Sequence, residues 1–240
     1  NPFFEWTYAR RKKIAANSPI RRGEHAQIDK IKTMNHLLPI EKRDSVLSRM
    51  AELLEQERTN IKNINQQDTM NYSGDDLAME KRLLVDDAKI DGMILSLQQL
   101  ASQEDPIGVE RFNFDHANGM KIINKTAAFG TIMIIYESRP DVTVEAGGIA
   151  FKSGNKILLK GGKESLLSNL KIVELWHQAL KENNISAERV EYLNYNREET
   201  QAFLEKPTQK VDLIVPRGGE QLIEKKKKHA TCPVIISGRG

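Results

Sequence analysis

Apolar positions in the first half of the chain recur at three- and four-residue spacing. Between residues 41 and 65, Val46, Met50, Leu53, Leu54, Glu57, Ile61 and Ile64 fall mostly at that spacing, and Glu, Arg, Lys and Gln fill the other face. That spacing predicts an amphipathic helix packed on a core. Asn71, Ser73 and Gly74 punctuate it. Asp87 is placed to cap a second helix, which aligns Ile90, Ile94, Leu97 and Leu100 and stops at Asp105-Pro106-Ile107-Gly108. Packing alone accounts for both stripes. Residues 110 to 125 alternate instead (Phe112 and Phe114, then Met120 and Ile122) about Asn118-Gly119, a strong hairpin signal. A hairpin this far from the other strands offers an oligomer interface.

From residue 131 the period changes. Short apolar runs cover Thr131 to Tyr136, Lys156 to Leu159, Val190 to Leu193, Val211 to Val215 and Pro233 to Ile236. Helix-like segments separate them, at about 142 to 152, 163 to 182, 197 to 205 and 219 to 229. Alternation of strand and helix predicts an α/β fold, a Rossmann-like parallel sheet with helices on both faces. The unbroken run Ile132-Met133-Ile134-Ile135 fits a strand buried on both sides.

Composition narrows the class. With 39% hydrophobic and 29% charged residues, 240 residues suffice for a packed core. No apolar run approaches the ~20 residues needed to span a bilayer. The opening stretch, Asn1-Pro2-Phe3-Phe4-Glu5-Trp6, lacks a signal-peptide pattern, and a lone cysteine forms no disulfide framework. The expectation is a cytoplasmic protein without a membrane partner. A net charge of +3 does not single out nucleic acid, and Lys225 to Lys228 read as a solvated helix face. Residues 1 to 27 form an extension unlike the rest, with Phe3, Phe4, Trp6 and Tyr8 ahead of Arg10-Arg11-Lys12-Lys13. It reads either as a solvated terminal helix or as a basic arm for a partner.

In parallel sheets, ligands bind beyond the carboxyl ends of the strands. The first strand is followed by Glu137, Ser138, Arg139, Pro140 and Asp141; the second by Lys160, Gly161, Gly162 and Lys163. The fourth is followed by Pro216, Arg217, Gly218 and Gly219, and the fifth by Ser237, Gly238, Arg239 and Gly240. Glycine admits close backbone approach to a phosphate, and lysine or arginine pairs with it. Gly161-Gly162 alone serves equally as a plain turn, and Arg139 could simply pair with Glu137 or Asp141. Cys232 precedes Pro233 at the amino end of a strand, the wrong edge for a nucleophile. His25, His36, His116, His177 and His229 show no metal-ligand spacing, so no metal is expected.

Tyr136-Glu137-Ser138-Arg139-Pro140-Asp141-Val142, Lys152-Ser153-Gly154-Asn155, Leu159-Lys160-Gly161-Gly162-Lys163-Glu164 with Ser168-Asn169, and Asp212-Leu213-Ile214-Val215-Pro216-Arg217-Gly218 are the decisive motifs. Together they resemble the gamma-glutamyl phosphate reductase family, in the aldehyde dehydrogenase superfamily. The resemblance covers about residues 28 to 240 and is most specific from 130 to 219.

It implies NADPH-dependent reduction of L-glutamyl 5-phosphate to the semialdehyde in proline biosynthesis, with release of phosphate. It implies an NADP-binding domain over 28 to 240, holding its cofactor through Ser138, Arg139, Pro140, Lys160, Gly161, Gly162, Lys163, Arg217, Gly218, Gly219 and Gly238. Lys160 would face the adenosine ribose or its 2′-phosphate. Lys163, near a position often acidic in NAD-preferring relatives, favours NADPH. Asp141 falls at an oxyanion position that is asparagine in many relatives, and a carboxylate donates there only when protonated. The nucleophilic cysteine is expected in a catalytic domain beyond residue 240, Cys232 not matching it, so the chain alone is expected to be inactive. A homo-oligomer joined through the hairpin and a glutamate kinase partner are also implied. The alternative is a non-catalytic scaffold that keeps the fold.

Overall fold

The computed structural model describes residues 37–219 and 229–235. The extension at 1 to 27, the lysine run, most of the helix expected at 219 to 229, and Ser237 to Gly240 with Gly238 lie outside the described residues. The first stripe folds as two helices rather than one: α1 (Ile40–Gln56) and α2 (Arg58–Asn71), parted at Glu57. The reason is a change in what each buries. Val46, Leu47, Met50, Leu53 and Leu54 of α1 face the core, whereas α2 buries Ile61 together with the polar Asn65 and Asp68. A short helix that periodicity did not reveal, α3 (Leu77–Leu83), is capped by the Asp76 carboxylate, which accepts from Ala78 N and Met79 N. The helix α4 (Asp87–Ser102) is capped by Asp86, one residue before the expected Asp87; Asp86 Oδ1 accepts from Lys89 N at 2.8 Å.

The hairpin is present as β1 (Glu110–Asp115) and β2 (Lys121–Lys125), antiparallel, with Phe114 opposite Ile122. Gly119 turns it at φ +85°, a conformation that glycine adopts at little cost. Every residue of both strands is exposed.

The main sheet follows in the expected alternation: β3 (Thr131–Tyr136), α5 (Pro140–Lys152), β4 (Lys156–Lys160), a 3₁₀ turn at Lys163–Ser165, α6 (Leu166–Glu182), β5 (Val190–Tyr192), α7 (Arg197–Glu205) and β6 (Leu213–Arg217). All pairings are parallel, in the order β5-β4-β3-β6. Where a fifth strand was expected at Pro233 to Ile236, the described residues contain a single parallel bridge, Val234 to Ile214. Alternate strand residues face opposite ways. Ile132, Ile134 and Tyr136 of β3 join a large core with α1, α2, α4, α5 and α6. Met133 and Ile135 point the other way, to Phe203 and Leu204 of α7. Helices therefore cover both faces, very unequally.

Two buried polar groups of α2 fasten it to this core. Asp68 caps α6 from outside: its carboxylate accepts from Leu167 N at 3.2 Å, Ser168 N at 2.8 Å and Ser168 Oγ at 2.7 Å. Asn65 donates to Leu83 O and Ser168 Oγ and accepts from Val85 N. The helix N-terminus is thereby satisfied by a residue about 100 positions away. Asp68→Ala is expected to cost roughly 2–4 kcal/mol in urea denaturation, because it strands the buried N–H and hydroxyl of Ser168 and the partly buried N–H of Leu167. Asp68→Asn should cost clearly less, since its amide oxygen still accepts; equal losses would remove the capping role.

Candidate functional site

The chain winds from β3 to β4 to β5 in one direction, then returns through α7 to place β6 on the far side of β3. The strand order thus reverses between β3 and β6. Outside the carboxyl ends of strands at such a reversal, neighbouring turns diverge and leave a crevice. A cavity of about 380 Å³ lies there, lined by Glu137, Ser138 and Arg139 after β3 and by Arg217, Gly218 and Gly219 after β6. Met79 and Arg82 of α3 complete it. Five residues singled out from the sequence, Ser138, Arg139, Arg217, Gly218 and Gly219, meet in one place. Pro140 is buried as the first residue of α5.

The turn after β4 forms the neighbouring part of the site. Ser138 Oγ donates to Glu164 Oε2 at 2.8 Å and so ties the β3 turn to the β4 turn. Lys160 Nζ donates to Gly161 O at 2.7 Å. Burial pushes the Lys160 ammonium below its ordinary pKa, and Glu164 opposes this at longer range. Lys163 and Glu164 face a second cavity of about 560 Å³, shared with Asp68, Tyr72 and Gly74. The structure thus sets Lys160, Gly161, Gly162 and Lys163 beside, rather than inside, the cavity at the reversal.

Below the glycines runs a buried polar chain. Tyr136 Oη lies 2.6 Å from Thr143 Oγ1, which donates to Asn169 Oδ1 at 2.9 Å. Asn169 Nδ2 donates to Ser165 Oγ at 2.9 Å and Tyr192 Oη at 3.3 Å. A Cβ on Gly161 would lie 2.3 Å from Asn169 Nδ2 and 3.0 Å from the Tyr136 ring. One on Gly162 would lie 2.8 Å from Ser138 Oγ. Only glycine fits at this turn, because protein atoms already occupy the space a Cβ would take.

Of the two partners weighed for Arg139, the structure selects Asp141, whose Oδ2 accepts from Arg139 Nη2 at 2.9 Å. Asp141 Oδ1 is buried without a partner. An ionised Asp141 is an acceptor only and brings no donor to an oxyanion. Burial pushes the Glu145 carboxyl up, reinforced by Asp141 one turn earlier and opposed by Arg139 and Arg217. Burial pushes the Cys232 thiol up, and Asp212 adds to this, so it is a poor thiolate source. The thiol packs under the α7 side of the sheet.

No protein-family model matches the chain. The gamma-glutamyl phosphate reductase of Aquifex aeolicus is 36% identical over 200 residues, 82% of this chain and 46% of that protein. The crystal structure of the Thermotoga maritima gamma-glutamyl phosphate reductase matches at a TM-score of 0.79 and 34% identity, over 85% of this chain and 50% of that one. The chain is similar, over most of its own length, to gamma-glutamyl phosphate reductases. The Saccharomyces cerevisiae gamma-glutamyl phosphate reductase follows at a TM-score of 0.75 and 26% identity, covering 82% of this chain and 51% of its own. An NAD-dependent benzaldehyde dehydrogenase from Corynebacterium glutamicum shares the fold at a TM-score of 0.65 and 14% identity. The α/β fold is therefore of the aldehyde dehydrogenase type. The chain spans about half the length of the curated relatives it matches.

Met79 and Arg82 were missed from the sequence, because seven residues of helix carry too few turns for a stripe to register; Asp76 as a cap was the available signal. The glycine geometry makes a paired prediction. Gly161→Ala should lower stability by about 1–3 kcal/mol as Asn169 and Tyr136 give way. Gly219→Ala, with nothing within 4 Å of its Cβ, should leave the thermal midpoint almost unchanged.

Proposed function

We propose that this chain is the cofactor-binding part of a cytoplasmic, NADPH-dependent gamma-glutamyl phosphate reductase. The whole enzyme would reduce L-glutamyl 5-phosphate to L-glutamate 5-semialdehyde and release phosphate, in proline biosynthesis. The observation that carries this reading is the convergence of Ser138, Arg139, Arg217, Gly218 and Gly219 on one cavity at the strand-order reversal. It occurs in a chain 36% identical to a protein of that name.

The residues present fit a dinucleotide phosphate. The Gly161-Gly162 turn is closed to any Cβ by the protein's own atoms, which holds its backbone in one place. Lys160 and Lys163 supply cations on either side of it, the charge that a ribose 2′-phosphate needs. Arg217-Gly218-Gly219 and the first turn of α5 supply a second set of backbone donors and a guanidinium. When bound, NADPH contributes the hydride. Ser138 positions the two turns through Glu164, and the Tyr136-Thr143-Asn169 chain holds their backbone still. Cys232 is not the nucleophile in this reading, which assigns that role to a thiol outside the described residues. The exposed hairpin, with Phe112, Phe114, Ile122 and Ile123 uncovered, is the proposed contact with a second copy of the chain. A glutamate kinase, which makes the acyl phosphate, is the proposed functional partner.

A fluorescence titration tests the reading. The chain should bind NADPH saturably and more tightly than NADH, and Lys160→Ala should weaken NADPH by about tenfold, the loss of one charge-assisted hydrogen bond. Equal binding of the two nucleotides, with no effect of Lys160→Ala, would contradict it. The protonated Lys160 is the binding form, and its pKa is held below the ordinary value. NADPH affinity should therefore fall as pH rises, beginning at lower pH than an ordinary lysine would require, and Lys160→Arg should abolish that decline.

A further inference from the structure

The buried polar chain beneath the Gly161-Gly162 turn runs in one direction and ends in an unused proton. Thr143 donates to Asn169 Oδ1, so the hydroxyl of Tyr136 is the donor to Thr143. Asn169 Nδ2 then serves two acceptors, Ser165 Oγ and Tyr192 Oη. Ser165 passes its own hydroxyl proton to Gly162 O at 3.4 Å. Tyr192, the last residue of β5, has no such outlet. Burial pushes its phenol above the ordinary pKa, while the Asn169 amide and the Gly161 backbone pull it the other way. A contact that lowers an acid's pKa donates into its oxygen, so the Asn169 amide and the Gly161 N–H both point at Oη. A phenol oxygen with two donors on it has only its proton left to give. Among the described residues nothing accepts that proton. Lys160 holds the same glycine by its other backbone group, since Lys160 Nζ donates to Gly161 O at 2.7 Å. The ammonium and the phenol thus flank one residue at the carboxyl edge of the sheet, and both side chains are half-buried.

We propose that Tyr192 is a specificity-determining residue for the cofactor, its hydroxyl donating to an oxygen of the ribose 2′-phosphate that Lys160 pairs with. The proposal rests on the cofactor reading given above. A lysine is a point charge on a flexible stem and accepts many placements of an anion. A hydroxyl held by two hydrogen bonds offers its proton in a narrow range of directions and selects among those placements. Asn169 and Gly161 hold Oη with no ligand bound, so little ordering cost falls on binding. NADH lacks the 2′-phosphate, so this hydroxyl discriminates between the two nucleotides rather than strengthening both.

The test is calorimetric titration of the 240-residue chain and of its Tyr192→Phe variant with NADPH, NADH, adenosine 2′,5′-bisphosphate and adenosine 5′-monophosphate. The variant keeps the ring and removes only the hydroxyl. It should weaken NADPH and the bisphosphate by about tenfold, the loss of one hydrogen bond to a charged group, and the other two ligands by less than about twofold. The ratio of NADPH to NADH affinity is the deciding readout, because a loosened turn weakens every ligand alike and cancels in the ratio. Ser165→Ala, which cuts the other branch of the chain, should leave that ratio unchanged. Equal losses for all ligands in Tyr192→Phe would make Tyr192 a structural residue and overturn the proposal. So would the same fall in the ratio in Ser165→Ala. An NADPH affinity untouched by Tyr192→Phe but weakened by Lys160→Ala would overturn the proposal and leave the cofactor reading in place. Failure of the unaltered chain to bind any of these ligands would remove both.

Discussion

The hydroxyl of Tyr136, at the last residue of β3, is buried against Thr143, and the geometry of the site hangs on that contact. Thr143 gives its one hydroxyl proton to Asn169, so Tyr136 must be the donor to Thr143. Burial pushes the phenol well above its ordinary pKa, which keeps that proton in place. Asn169 then spends its amide protons on Ser165 and Tyr192. One chain of hydrogen bonds thus joins β3, α5, α6 and β5 directly beneath the turn after β4. In a low-dielectric interior, breaking one link leaves a polar group unpaired at a cost of roughly 1–3 kcal/mol. The turn above cannot shift without breaking a link, and this is why Gly161 has no room for a side chain.

That buried chain of hydrogen bonds underlies the turns at the strand ends. Winding in one direction puts α5 and α6 on one face with α1, α2 and α4 stacked over them. Return through α7 covers the other face and brings β6 beside β3. The reversal opens the cavity, and the two turns that flank it carry Arg139 and Arg217. The covering layer then adds its own charge. Asp68 and Asn65 lock α2 to the start of α6, and Lys89 locks α3 to α4, so Arg82 sits over the strand ends as part of a fixed surface.

Strands buried on both sides were plain in the sequence, because Thr131–Tyr136 and Lys156–Lys160 interrupt their apolar runs little or not at all. The residues after them were equally plain, since ligands of parallel sheets bind beyond the carboxyl ends of the strands. Three things were not readable. The break at Glu57 is invisible because apolar spacing continues across it while the packing partner changes. The cap of α4 shifted by one residue because Asp86 and Asp87 are both good caps and only the backbone decides. Arg82 was missed because its relevance depends on where a short helix docks, which local sequence does not encode. The partner of Arg139 was left open for the same reason: Glu137 and Asp141 are equally near in sequence, and the first turn of α5 brings Asp141 around.

The central claim is that the turns at the carboxyl ends of β3, β4 and β6 receive the phosphate groups of NADPH. Hydrogen exchange of the chain with and without NADPH measures this most directly, because backbone amides that grip a phosphate exchange more slowly. The account predicts protection at residues 138 to 143, 160 to 165 and 217 to 219, with little change at Gly130, Asn155 and Asp212 on the opposite edge of the sheet. Protection confined to that opposite edge, or none at saturating NADPH, would contradict it.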